Sequence, residues 1–187
     1  MTSEQIYQEN KNLVFNLCLQ YVQNTEDAQE LTQDVFVKIF ESIDTFKQQA
    51  NLSTWIYRIA INKCLDFLKA KKRKKRFAFF TSLFYENNEV KLEQIHFEHP
   101  GVALENKERL QQIFTYINEL PPNQKTAVIL SKIEQKSQAE IAEILSISAK
   151  AAESLIQRAK TNLMAKLNPD EGNANNSRLI KIKKQNE

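Results

Sequence analysis

"TWIYRIAINKCLDFLKAKKRKKR", residues 54–76, holds the reading on which the fold turns. At 100° per residue, Ile56, Ala60, Ile61, Cys64, Leu65, Phe67 and Leu68 fall on one wide apolar arc, the pattern of a helix that buries one side. Trp55, Arg58, Ile59, Asn62, Asp66 and Lys69 share the opposite side. Seven cations then occupy the eight positions 69–76: Lys69, Lys71, Lys72, Arg73, Lys74, Lys75 and Arg76. A helix C-terminus favours a cation, but neighbouring like charges on a helix repel, so a run this dense points to phosphate contact beyond solvation. An indole beside Arg and Asn, leading into cations, suits a surface that tracks a nucleic-acid backbone and cradles unpaired bases. The alternative at Trp55 is a ring tucked against the preceding segment as part of the core.

The rest of the chain agrees with a helical protein. Only Gly101 and Gly172 are glycines among 187 residues, and the prolines, Pro100, Pro121, Pro122 and Pro169, all lie in the second half, which disfavours hairpins. A net charge of +3 identifies no partner, so its distribution matters: the basic block is followed by Glu86, Glu89, Glu93, Glu98 and Glu105, with Lys91 among them. No apolar run approaches the roughly 18 residues of a membrane span, and MTSEQIYQEN lacks the basic-then-apolar pattern of a signal peptide, so a cytoplasmic chain without membrane insertion is expected. Cys18 and Cys64 sit in helical apolar patterns without metal-ligand spacing and are expected as buried reduced thiols.

The expected fold class is all-α: two small helical domains joined by a flexible linker. Ile6, Leu13, Val14, Leu17, Cys18 and Tyr21 mark a helix over 4–23 with Thr2 as its cap. Thr25 is read as the cap of a second helix to about residue 42, with Leu31, Val35, Phe36, Ile39 and Phe40 on its apolar stripe. With the opening helix these complete a first domain over 1–76. Residues 77–105 lose the periodicity and read as a linker whose aromatics, Phe77, Phe79, Phe80, Phe84 and Tyr85, should partly dock. A second domain spans 106–168, and 169–187 is a polar tail expected to be disordered.

In the second domain, Ser137 and Glu140 form a capping box before a short helix, Ser146 and Ile147 make a tight turn, and Ser148 caps a longer helix from Ala149. Preceded by a packing helix at about 122–134, that is a trihelical helix-turn-helix. Ala152, Leu155, Ile156, Ala159 and Leu163 face its core; Lys150, Ser154, Gln157, Arg158 and Thr161 face out. Amides and cations there suit phosphates and major-groove base edges, although a solvated face would carry similar residues.

Taken together, "NTEDAQELTQDVFVKIFESIDTFKQQANLSTWIYRIAINKCLDFLKAKKR" and "LPPNQKTAVILSKIEQKSQAEIAEILSISAKAAESLIQRAK" closely resemble the bacterial extracytoplasmic-function (ECF) sigma factors, which keep only the second and fourth conserved sigma domains. The resemblance implies an alternative sigma factor with core RNA polymerase and promoter DNA as partners, an anti-sigma factor as a regulator, and no cofactor, metal or catalytic residue. It implies polymerase contacts at Asp27, Glu30, Leu31, Gln33, Asp34 and Phe36. For opening the −10 element it implies Lys47, Gln48, Gln49, Asn51, Ser53, Thr54, Trp55, Arg58, Asn62, Lys63, Lys69, Lys72 and Arg73. For reading the −35 element as duplex it implies Ser148, Lys150, Ser154, Gln157, Arg158, Lys160 and Thr161. Two departures concern the turn and the helix after it: Ser146 stands where the family often has Gly, and Ala152 where a β-branched residue is commoner, which should loosen packing there. A stand-alone helix-turn-helix regulator and a helical interaction module without a DNA role are the alternatives. An enzyme fits least, since His96 and His99 lie in the linker without a paired nucleophile.

Overall fold

The structure, a computed structural model, describes residues 2–46, 51–84 and 104–167, with side chains described except at 45, 77–84 and 104–108. Among the described residues there are helices and turns and no strand, and the chain divides into two compact units, Met1–Pro100 and Gly101–Glu187.

In the first unit, α1 (Ser3–Val22) starts at Thr2, whose hydroxyl accepts from the Gln5 N–H at 3.2 Å while Gln5 Oε1 accepts from the Thr2 N–H at 2.8 Å, a capping box. It ends at Gln23, left-handed at φ 55°, whose N–H reaches the Leu19 carbonyl. Helix α2 (Thr25–Ser42) is capped by Asn24, which accepts from the Asp27 N–H at 2.8 Å. The expected cap, Thr25, is instead the first helical residue; Asn outranks Thr as a cap and sits one position earlier. A 3-10 turn, Ile43–Thr45, follows.

Helix α3 (Leu52–Phe84) packs on both α1 and α2. Ile56, Ala60, Ile61 and Cys64 are buried against Val14, Leu17, Leu31, Val35 and Ile39, each large apolar side chain stabilising by about 1.5–3 kcal/mol. The cysteines meet inside this core as free thiols: Cys64 donates to Cys18 with the sulfurs 3.9 Å apart. That hydrogen bond lowers the Cys18 thiol below its ordinary value; burial pushes the other way and Thr32 assists the lowering. Helix α3 runs two turns past residue 76, so the start of the segment read as an irregular linker is helical. No Gly or Pro interrupts 77–84 to stop it. Tyr85, the 85–103 stretch and the tail after Leu167 lie outside the described residues, as does the expected docking of the linker aromatics, whose side chains are not described.

The second unit contains α4 (Leu104–Asn118), α5 (Pro122–Val128), α6 (Gln138–Leu145) and α7 (Ala149–Leu167), the last packing on the other three. Pro122 occupies the first turn of α5, where its missing N–H removes no bond. A π-helical turn, Ile129–Ile133, extends α5 and closes with the Glu134 N–H on the Ile129 carbonyl and the Lys136 N–H on that of Leu130, through a left-handed Gln135. The expected loosening around Ala152 does not appear as exposure: Ala152 and Ala159 are both fully covered.

The turn between α6 and α7 rests on Ser146 at φ 54°, ψ 44°, with the Ile147 N–H reaching back to the Ala142 carbonyl at 3.0 Å. A non-glycine residue in this region carries a penalty of roughly 1–2 kcal/mol. Ser146→Gly should therefore raise stability by about 1 kcal/mol, read as a higher unfolding midpoint by circular dichroism; an unchanged or lower midpoint would mean that Ser146 is unstrained.

Candidate nucleic-acid interface

Two surfaces, one in each unit, gather the polar residues singled out by the sequence. In the first unit the outer face of α3 is sorted along its length. Asn51 starts it: its Oδ1 accepts from the Ser53 N–H and its carbonyl from the Trp55 N–H, each at 3.1 Å. Trp55 is half-buried and packs on Phe46 from the preceding segment, centroids 5.1 Å apart and planes tilted 37°, as the core alternative held, while part of its ring stays accessible. Thr54 is 7% exposed and faces the interior, so its side chain does not stand on the surface with its neighbours. Ser53, Arg58 and Lys63 are half-buried and Asn62 is exposed. Lys47, Gln48 and Gln49 lie outside the described residues.

The cationic end is less uniform than its sequence. Lys71 turns inward to Asp27 of α2, 2.9 Å away, with both side chains partly buried. Lys69 pairs with Asp66 at 3.0 Å, both well exposed, so this bridge adds little stability. Lys72, Arg73, Lys74, Lys75 and Arg76 are exposed.

On α2 the acidic and amide residues Glu30, Gln33 and Asp34 are exposed, whereas Leu31 and Phe36, grouped with them as polymerase contacts, are buried in the core. Phe40 was placed on the buried stripe and is instead 37% exposed; Val37 is 56% exposed. With Tyr7, whose ring meets Phe36 edge-on at 4.8 Å, they add an apolar component to this face that helical periodicity alone did not isolate.

In the second unit, Ser148 accepts from the Ala151 N–H at 3.2 Å and opens α7. Lys150, Ser154, Gln157, Arg158 and Thr161 project from one exposed face, and Lys160 is exposed beside it. Arg158 Nε donates to the Ser154 carbonyl and the Thr161 hydroxyl to that of Gln157, which holds both near the helix surface. Gln138 at the start of α6 donates to the Ala149 carbonyl at 3.1 Å and ties the two helices across the turn. The Ser137–Glu140 box is formed as expected, with Lys136 3.4 Å from Glu140. Among the described residues no cluster of His, Cys, Asp or Glu could hold a metal, and no helix is long and apolar enough to cross a membrane.

An all-α chain with a three-helix unit bearing a cationic outer helix, followed by a capped helix-turn-helix, corresponds to two known families. Sigma-70 region 2 matches residues 6–74 and the ECF-type Sigma-70 region 4 matches 110–163. Together they define a transcription initiation factor of the sigma type. The ECF RNA polymerase sigma-E factor of Haemophilus influenzae is 30% identical over 159 residues, covering 85% of this chain and 84% of its own. The ECF RNA polymerase sigma factor SigW of Bacillus subtilis is 28% identical, covering 84% of each. The fold also matches the sigma factor RpoE of Bartonella quintana solved with the anti-sigma factor NepR (TM-score 0.62, 21% identity, 89% of this chain and 97% of the other). CnrH solved with the cytosolic domain of CnrY matches comparably (TM-score 0.61, 21% identity, 90% and 88%). The chain belongs to the ECF family of RNA polymerase sigma factors, and it is an alternative sigma factor that directs transcription initiation.

Hydrogen bonds from the Ser137 backbone and hydroxyl hold the Glu140 carboxyl below its ordinary value, with Lys136 assisting. A carboxyl lowered on folding stabilises above its unfolded value, about 4.3, and that contribution fades as pH falls through the lowered value. Unfolding of the helix-turn-helix, followed by circular dichroism between about pH 6 and pH 3, should thus be more acid-sensitive in the wild type than in Glu140→Gln. Equal acid sensitivity would show that the box does not carry this linkage.

Proposed function

We propose that the outer face of α3 opens and holds the −10 element, that the exposed face of α7 reads the −35 element as duplex, and that the exposed face of α2 docks on core RNA polymerase. The observation that carries this reading is the sorting of α7: two buried alanines fix one side, while Lys150, Ser154, Gln157, Arg158 and Thr161 share the other. Amides and a guanidinium near a helix N-terminus are the groups that pair with base edges when such a helix enters a major groove. In α3, Arg58, Asn62 and the accessible part of Trp55 supply amide, cation and stacking surface, which offset the few kcal/mol of extruding a base.

For polymerase, the supporting surface is Glu30, Gln33 and Asp34 with Val37 and Phe40, acidic groups around apolar anchors. Buried Leu31 and Phe36 act by shaping it. Two of the structural relatives were solved with anti-sigma partners or a partner's cytosolic domain, and an anti-sigma factor covering this α2 face is the regulator proposed for this chain. The proposed site of action is the cytoplasm, where polymerase and promoters are found, and the role is one of binding rather than catalysis.

Run-off transcription with bacterial core polymerase on a genomic fragment library tests the reading. Starts that depend on this protein and share two spaced upstream motifs are expected; salt-dependent duplex binding without such starts would favour a stand-alone regulator instead. On a promoter found this way, Gln157→Ala with Arg158→Ala should lower transcription by about 30-fold or more, given about 1–3 kcal/mol for each of two good base contacts. Glu30→Lys with Asp34→Lys should weaken core-polymerase affinity about tenfold in a fluorescence titration while leaving the helical signal intact; unchanged affinity would remove α2 from the polymerase interface.

A further inference from the structure

Cys18 and Cys64 are the only cysteines in the chain, and the fold brings them together from positions 46 apart in sequence. Both are fully covered, one on α1 and the other on the inner arc of α3, with their sulfurs 3.9 Å apart. A buried thiol commonly serves as a small apolar filler. Filling does not call for a second cysteine as the neighbour, whereas two thiols in contact on different helices are the starting arrangement of a cross-link.

The helix packing suits that cross-link. Packed helices run about 8–10 Å apart with Cα atoms about 2.3 Å from each axis, so residues facing each other across the contact have Cα atoms about 4–6 Å apart. Disulfides span about 4.4–6.8 Å between Cα atoms, and the two sulfurs would have to approach by about 2 Å, a distance that side-chain rotation can supply. The two thiols also differ. Cys64 donates and Cys18 accepts, and this bond, opposed by burial and assisted by Thr32, lowers the Cys18 thiol below its ordinary value. The thiolate is the nucleophile, so Cys18 reacts first. Because both sulfurs are covered, the oxidant has to be close to the size of water and to enter on brief local openings of the core.

We propose that Cys18 and Cys64 are a redox pair that a peroxide converts to an intramolecular disulfide, stapling α1 to α3 inside the first unit. The Cys18 sulfur attacks one peroxide oxygen and the O–O bond breaks; the departing hydroxide takes the thiol proton and leaves as water, and Cys18 becomes a sulfenic acid. The Cys64 sulfur then attacks the Cys18 sulfur, the S–S bond forms, and the sulfenic hydroxyl leaves as water with the Cys64 proton. Two thiols lose two electrons in all, and one peroxide is reduced to two waters. A dithiol reverses the step by exchange. The closed loop contains the whole of α2, so the disulfide restricts the unfolded chain and stabilises the first unit. The second unit has no cysteine and takes no part. The staple does not depend on which surfaces meet DNA or polymerase.

The test uses the full chain, fully reduced, then exposed to a modest excess of hydrogen peroxide and compared with an untreated portion. Trp55 is the only tryptophan and lies in the first unit, so its fluorescence follows the unfolding of that unit. Peroxide should remove both titratable thiols and leave a monomer lighter by two hydrogen atoms, with Cys18 and Cys64 joined in one peptide pair. It should also raise the Trp55 unfolding midpoint by about 10 °C or more. Excess dithiothreitol should restore both thiols and the lower midpoint. Cys18→Ala and Cys64→Ala, each left with one sulfur, should show no such rise on treatment, whatever their own starting midpoints. Thiols that survive peroxide, oxidation to sulfinic acid without a cross-link, a disulfide between two chains, or a cross-link that leaves the midpoint unchanged or lower would each overturn the staple.

Discussion

The first unit depends on helix α3 having a single rotational setting. Ile56, Ala60, Ile61 and Cys64 on its inner arc are buried where it packs on two helices, and the Cys64 thiol rests on that of Cys18. A rotation of one residue would turn Ile56 or Ile61 to water and bring Arg58 or Asn62 inside, at a cost of several kcal/mol. The Asp27–Lys71 pair pins the same setting two turns beyond the packed arc. Core packing therefore decides which polar side chains are available to DNA, and no loop has to be ordered to present those of the described helix.

The second unit reaches the same end by a different device. Helix α6 is only eight residues long and cannot be stable alone; its box at Ser137–Glu140, its left-handed end at Ser146 and the Gln138 bridge to α7 together define the angle at which α7 leaves the turn. Ala152 and Ala159 are then buried where α7 packs on its supports. Cations and amides remain on the far face. In both units a buried stripe fixes a helix whose outer residues are the ones proposed for recognition, and a sigma factor that reads two promoter segments needs two such helices.

Much of this was legible in the sequence because helical period and caps are local signals. The buried arc of α3, the outward set on α7, the box at Ser137 and the turn at Ser146 follow from residues within one or two turns of each other. What escaped was set by contacts remote in sequence or by fine competition. The Asp27–Lys71 pair joins positions in different helices, so a cation block that looked uniform turned out to be divided. Phe40 fits the stripe by angle, but near the end of α2 it meets the Phe36 ring and still stays 37% exposed. Thr25 and Asn24 are adjacent candidate caps, and only the hydrogen bond from Asp27 separates them. The continuation of α3 to Phe84 had a signal in the lack of any breaker, outweighed by the change from cations to aromatics.

The central claim is that one helix in each unit meets a different part of a promoter. Site-specific photo-crosslinking in the assembled polymerase complex tests it most directly, with a photoreactive side chain at Asn62 of α3 in one protein and at Gln157 of α7 in another. The account predicts that the Asn62 probe labels DNA in the opened region and the Gln157 probe labels duplex further upstream. Labelling of the same segment by both probes, or of no DNA by either, would contradict it.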